Sequence, residues 1–580
     1  MAYNRYHRFV LRYGFALLAA FVLIPTANAG ALEADPNLQP QALNITGINE
    51  LKELDPNLET DKINLAVVCR SFTYIDGKPQ NDYRPNIGHD CFSDSNFLFY
   101  DANGSGAGIS PHSTAICSIL FGADPNAFNT QLGEFSYEGV IPQAKADIYE
   151  FWYFLTNNIF PQIRPEADVV SASIGSPFQD WWTRGIDSMA EKYGVVFVAG
   201  IGNGSQASDP TLYPAANSNV IGVGVVDSAR GLDAKNNLAN FSLAIPEHSS
   251  LGPASDNRCK PDIVAPGNMM AADYNEPNLY EPTGDWSSFS TPLVAATASM
   301  LVQKAKQEPN LESAIDWQNL NCLIRAILMN SAEKLPYWHK GELTKEDDHL
   351  VPLDYMQGAG MLNAAEAYKT LIAGKQNSGI VGNAGWDNNS IAADMSAANS
   401  YSMKLENPKG KFITATAVWN KHYQDSYPFE AIPEEDSNLR IELWAVDVNN
   451  PENDYLLDYS DSLVDNVEHI YKAADPNYTD YEIVISFSDI NEPNIISQKY
   501  ALAWQVTESK NKENIYLYDL NTDGVVDNAD VGILMENYSN SLNTNSSYLL
   551  GDINDDGRID INDLRNFVNN IDRKAGLYSK

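Results

Sequence analysis

Lys260-Pro261-Asp262-Ile263-Val264-Ala265-Pro266-Gly267 and, further on, Trp286-Ser287-Ser288-Phe289-Ser290-Thr291-Pro292-Leu293-Val294-Ala295 decide how this chain is read. The first is a short apolar strand closed by Pro-Gly. The second places a serine just ahead of a helix that the spacing starts at Thr291-Pro292, with proline in its first turn. The Ser288 hydroxyl then lies near the positive end of the helix dipole, where a nucleophilic serine is well placed. A serine before a helix is more often only a cap, so the meaning of Ser288 depends on the segments around it.

Working outward, residues 63–68, 168–171, 194–199 and 220–225 are short, continuously apolar runs separated by longer helical patterns. Strands buried on both faces need such runs, so residues 61–372 are expected to form an α/β domain with a mainly parallel sheet. Residues 30–60 are polar, with one weak helical pattern over 48–54, and form a lead-in segment. After Gly374 the apolar period becomes two, in 412–419, 439–446 and 481–487, which predicts an all-β sandwich over 390–508. Trp419, Tyr423, Tyr427 and Trp444 on that region could stack on sugar rings, although aromatics at alternating strand positions usually form sandwich core. A charged hinge at 508–513 leads into a small tail.

The chain has 580 residues, 44% of them hydrophobic and 20% charged, with a net charge of −38. That balance excludes disorder over the whole length and a multi-span membrane protein, and the acidity excludes a nucleic-acid backbone binder. Arg5, Arg8 and Arg12, the apolar stretch 14–24 and Ala27-Asn28-Ala29 make residues 1–29 a secretory signal peptide cleaved after Ala29. With no later apolar segment of membrane length, a secreted, extracellular protein without a membrane span is expected. Cys69, Cys91, Cys117, Cys259 and Cys322 are odd in number, so at least one is free or pairs with another chain, and none has zinc-site spacing.

The tail repeats a twelve-residue frame. Asp519, Asn521, Asp523, Asp527 and Asp530 stand at positions 1, 3, 5, 9 and 12, and Asp552, Asn554, Asp556, Asp560 and Asp563 repeat them. The peptide carbonyls of Val525 and Arg558 supply position 7, while Gly524 and Gly557 permit the turn. Six or more hard oxygens in this spacing suit calcium, two ions in all. Position 12 is Asp, and each loop precedes one amphipathic helix. The pattern over 515–573 resembles the type I dockerin, a small α-helical module, and that resemblance implies a cohesin-bearing scaffold as partner and a polysaccharide-degrading setting. Asn528-Ala529 and Ile561-Asn562 occupy the positions on which dockerin specificity generally rests.

Residues 61–372 resemble the subtilases, the subtilisin-like serine peptidases. Carrying that resemblance are the two segments quoted first, Ser110-Pro111-His112-Ser113-Thr114-Ala115, Ala199-Gly200-Ile201-Gly202-Asn203-Gly204 and Tyr213-Pro214-Ala215. It implies Ser288 as nucleophile, His112 as base and Asn203 as the amide that stabilises the oxyanion, acting on a protein or peptide substrate. Residues 171–175 resemble the edge that pairs with an extended substrate. Two departures stand out. Cys69 occupies the place of the triad Asp at the end of the first strand, with Asp76 and Asp90 only further on, and Trp286 replaces the small glycine that begins the nucleophile turn. The expectation is a secreted serine endopeptidase, weakened or altered by the missing carboxylate; the alternative is a pseudoprotease that binds peptides or acts as a scaffold component.

Overall fold

The computed structural model describes residues 38–508 apart from 71–73, 76–77, 80–81, 103–107, 205–209, 227–248, 285, 336–337, 342–347, 395 and 489–496, and of the tail only 531–532, 534–535 and 564–565. The expected signal peptide and all twelve expected calcium-loop ligands lie outside the described residues, as does Asp76.

A seven-stranded sheet forms the centre of the first region. Its strands are β1 (Asn64–Cys69), β2 (Asn96–Tyr100), β3 (Lys145–Glu150), β4 (Val169–Ala172), β5 (Val196–Gly200), β6 (Ile221–Val226) and β7 (Ile263–Pro266), in the order β7-β6-β5-β4-β1-β3-β2. Every pairing is parallel. β4, β5, β6 and β7 are buried along their whole length, which is why they are continuously apolar. One face carries helix α3 (Pro111–Phe121) and the long helix α5 (Ser287–Gln307); α4 (Trp181–Tyr193) joins the apolar cluster on the other.

The lead-in is part of this core. It forms α1 (Leu38–Ile45) and α2 (Ile48–Leu54), and Ala42, Ile48 and Leu51 are fully buried. α2 packs on α7 (Ala364–Ile372). Just beyond α2, Asp55 accepts a 2.9 Å hydrogen bond from the Tyr368 hydroxyl and pairs with Lys304 at 2.9 Å, which ties the N-terminal segment to α7 and α5.

Residues 379–508 form two further sheets. Strands β8 (Gly379–Ile380), β10 (Ala398–Lys404), β15 (Asp480–Phe487), β12 (Leu439–Val446) and β13 (Tyr455–Ser460) lie in that order in one. β9 (Ala384–Ala392), β16 (Ser497–Glu508), β11 (Lys411–Val418) and β14 (Val467–Ala473) form the other. Alternate residues of both, among them Ile413, Tyr401, Ile441, Ile483, Leu502 and Trp504, share one buried cluster. Helix α6 (Leu320–Asn330), every residue of which is buried, contacts β5 on one side and β11 and β16 on the other.

The four β-region aromatics divide. Trp419 is fully buried and its Nε1 donates to the Ser437 carbonyl at 3.1 Å; Tyr423 is buried too. Trp444 is half-buried and its Nε1 donates to Glu442 at 2.8 Å. Only Tyr427 is exposed, at 46%, against the rings of Phe160 and Trp181.

Candidate active site

The polar residues singled out above gather at the C-terminal ends of the parallel strands, where crossover loops meet helix starts. His112 is the second residue of α3. The Ser110 hydroxyl caps that helix by accepting from the Ser113 N–H at 3.1 Å, and Pro111 supplies a first-turn φ without wasting a donor. The ribbon that pairs Asp82–Arg84 with Gly108–Ile109 delivers the chain to this point, and the Ser110 N–H donates to the Arg84 carbonyl at 2.8 Å. Beyond it Ile116, Cys117, Ile119 and Leu120 anchor the helix in the core. Burial pushes the His112 imidazole down to about 4, so the ring is neutral and able to accept a proton at ordinary pH. Its centroid lies 5.9 Å from that of Phe289, the residue after Ser288.

Helix α5 begins at Ser287, not at Thr291, so Ser288 stands inside the first turn and Pro292 inside the helix. Proline has no N–H to give the carbonyl four residues back, which here is that of Ser288. The Ser173 hydroxyl, just past β4, donates to that carbonyl at 2.8 Å. Trp286 occupies the cap position with φ −124°, extended backbone that any side chain adopts, so the loss of glycine there costs no backbone strain. Gly267 provides the room: a Cβ at 267 would lie 2.8 Å from the Trp286 nitrogen.

Asn203 follows β5. Its Oδ1 accepts from the Ser287 N–H at 3.0 Å and from the Ser287 hydroxyl at 2.8 Å, and the Gly202 N–H donates to the same hydroxyl at 3.2 Å. With the oxygen end of the amide held by Ser287, the Nδ2 end is the one turned from that residue. Ser173 and Ser287, which hold Ser288 and Asn203, lie inside the segments quoted above, but the sequence marks neither for this role; the missing Pro292 donor is the one signal for a partner of the Ser288 carbonyl.

Cys69 is buried at the end of β1. Burial pushes its thiol up to about 12, with the Ser113 side chain lowering it only in part, so the thiol is neutral at any working pH. A thiolate beside His112 is therefore not what this position supplies. Glu150, in register with Cys69 on β3, is a strand-end carboxylate that sequence reasoning missed, and its Oε2 caps the following turn by accepting from the Tyr153 N–H at 2.8 Å. Asp101 pairs with Arg84 at 2.6 Å and accepts from the Tyr83 hydroxyl at 2.5 Å. Asp90 is exposed on the short turn Asp90–Phe92.

The expected peptide edge is shorter than 171–175. Ser171 is paired on one side with Val67 and on the other with Val198, so it is interior to the sheet, while Ala172 is paired with Ala199 on one side. Ser176 exchanges two 2.8 Å hydrogen bonds with Tyr213, which leaves 173–175 as the stretch past the paired register. The Lys260-Pro261-Asp262 segment is structural: Asp262 is fully buried, 2.5 Å from Lys260 and 2.6 Å from Arg325, and also accepts from the Gly222 N–H at 2.6 Å. All five cysteines are buried free thiols. Among the described residues, no helix is long and apolar enough to cross a membrane.

The chain is similar to several known proteins. The major intracellular serine protease of Bacillus subtilis is 25% identical over 254 residues, 43% of this chain and 66% of its own length. Pyrolysin of Pyrococcus furiosus is 30% identical over 164 residues, 24% of this chain and 12% of its length, and the minor extracellular protease Epr of Bacillus subtilis 30% over 150 residues, 26% and 20%. The chain thus spans less than two thirds of each of these relatives. Among solved structures, the self-cleaved protease domain of PatA aligns at 21% identity over 54% of this chain and 98% of its own, with a TM-score of 0.34. The model of the subtilase family matches residues 54–360, and this chain belongs to that family.

Proposed function

We propose that the protein is a secreted subtilisin-like serine endopeptidase working with Ser288, His112 and Asn203, with Cys69 at the strand end where the family's triad Asp stands. The observation that carries this reading is the double hold of Asn203 by Ser287, which fixes an amide beside the nucleophile turn. The Ser288 hydroxyl attacks the peptide carbonyl, its proton passes to neutral His112, and His112 returns that proton to the leaving amine. The Asn203 amide donates to the oxygen that becomes negative, an effect worth roughly 3–4 kcal/mol in such sites. The two sheets of 379–508 form a sandwich domain. The tail, 515–573, is a dockerin holding two calcium ions through Asp519, Asn521, Asp523, Val525, Asp527, Asp530 and their repeat from Asp552 to Asp563, and docks on a cohesin-bearing scaffold.

A second reading is favoured by Cys69: a neutral thiol gives an imidazolium no counter-charge, as in a pseudoprotease that only binds peptides. Fluorophosphonate labelling followed by intact mass separates the two. The enzyme takes up one label at Ser288 and the Ser288→Ala variant none; absence of label in both favours the binding protein. Circular dichroism and cohesin binding of the full chain, with and without chelator, test the tail, and binding unchanged by chelation would refute it.

A further inference from the structure

We propose that Leu212 fills the slot beside Ser288 that receives the side chain of the residue giving up the scissile carbonyl, so that only glycine or alanine is accepted there. This rests on the peptidase reading and names its substrate class.

Two backbone walls flank the nucleophile turn: 173–176, continuing from β4, and 201–203, continuing from β5. Ser173 is bonded to the Ser288 carbonyl and Gly202 to the Ser287 hydroxyl, so both walls are tied to the start of α5. An extended peptide lying along 173–175, with its carbonyl carbon at the Ser288 hydroxyl and its oxygen toward the Asn203 amide, projects the side chain of that residue between the walls.

The space is already taken. A Cβ at Gly175 would lie 2.7 Å from Leu212 Cβ and 2.8 Å from its Cδ1, and a Cβ at Gly202 would lie 3.0 Å from Leu212 Cγ. One side chain therefore touches both walls, and both are glycine where it does so. Its backbone is fixed as well: the Leu212 N–H donates to Ile201 at 2.8 Å, and Tyr213 and Ser176 bond each other twice at 2.8 Å. Leu212 is half-buried, as expected of a floor that solvent or substrate can still reach. Close-packed interiors do not yield to an added ring.

The test uses peptidyl diphenyl phosphonates identical but for alanine or phenylalanine at the reactive phosphorus, with Ser288 modification followed by intact mass. Binding of peptide acids ending in Ala or Phe is measured in parallel by fluorescence anisotropy. The full-length wild type is expected to favour alanine at least tenfold in both assays, and Leu212→Gly, with Leu212→Ala as a second variant, to erase or reverse that preference. Equal handling of both residues by the wild type, or an unchanged ratio in both variants, overturns the proposal while Ser288 labelling leaves the peptidase reading standing. If no phosphonate or fluorophosphonate reacts, the peptidase reading fails, and anisotropy alone decides: alanine-selective binding that Leu212→Gly removes supports the filled slot, and unselective or absent binding overturns it.

Discussion

The Ser173 hydroxyl donates to the Ser288 carbonyl at 2.8 Å, the one carbonyl of the nucleophile turn that Pro292 leaves without a helical donor. A side chain from the sheet thus completes a helix where the helix cannot complete itself. Ser173→Ala should lose about 1 kcal/mol of local stability, close to a fivefold change, and show it mainly in kcat. Pro292→Ala restores an N–H at the right place, so the Ser173→Ala/Pro292→Ala pair should lose less than the sum of the single changes. Strict additivity in a double-mutant cycle would show that the two residues do not share this carbonyl.

Cys69 supplies no charge, and this has a kinetic signature. Cys69→Ala should change kcat/KM less than about threefold, because a neutral thiol has little electrostatic effect to lose. Cys69→Asp should raise it at least tenfold, toward the ~10⁴ that a triad carboxylate is worth, and lift the pKa of His112. Peptide or ester hydrolysis by the three proteins measures this; a large loss in Cys69→Ala would mean that the thiol takes part directly.

Burial holds the His112 imidazole at about 4, below its ordinary value of 6.5. The base therefore stays neutral through mildly acidic pH, and kcat/KM should be flat from neutrality downward, with its acid limb near 4. Stability follows the same sign: the unfolded chain takes up this proton first, so the contribution of His112 is lost as pH falls from about 6.5 through 4. A limb near 6.5 would mean that the imidazole is solvated in the working enzyme.

Asp262 is the shared counter-charge of two buried cations. Burial alone would raise its carboxyl, but Arg325 and Lys260 hold it below the ordinary carboxylate value, while burial brings Lys260 down to about 8 against the pull of Asp262. Asp262→Asn strands both cations and should destabilise the fold by about 3–5 kcal/mol, read as a lower urea midpoint. An unchanged midpoint would place the network on the surface in solution.

What the sequence made legible was what local pattern controls. The buried strands stand out because β4 to β7 lack a solvent face, and His112 because Ser110-Pro111 is a local cap. The start of α5 was misplaced because proline at 292 looks like a helix opening, and the hydroxyl that offsets its missing donor comes from 115 residues away. Strand β9 begins ahead of the visible alternation because its buried face includes Asp387, held by the Tyr401 hydroxyl at 2.9 Å, so polarity does not mark its outer side. The N-terminal segment looked like a lead-in because its anchor, Asp55 with Lys304 and Tyr368, is a long-range contact.

Helix α6 gives the molecule a seam that no linker marks. Because it lies between β5 and the strands β11 and β16, a cut made after residue 372 to isolate the peptidase half would not fall between two bodies but would peel the outer wall from an apolar helix. The antiparallel sheet takes the place that a further layer of helices would have over a parallel sheet. The smallest piece expected to stay soluble therefore runs from 38 to 508, and any engineered scaffold fusion should be joined beyond that point.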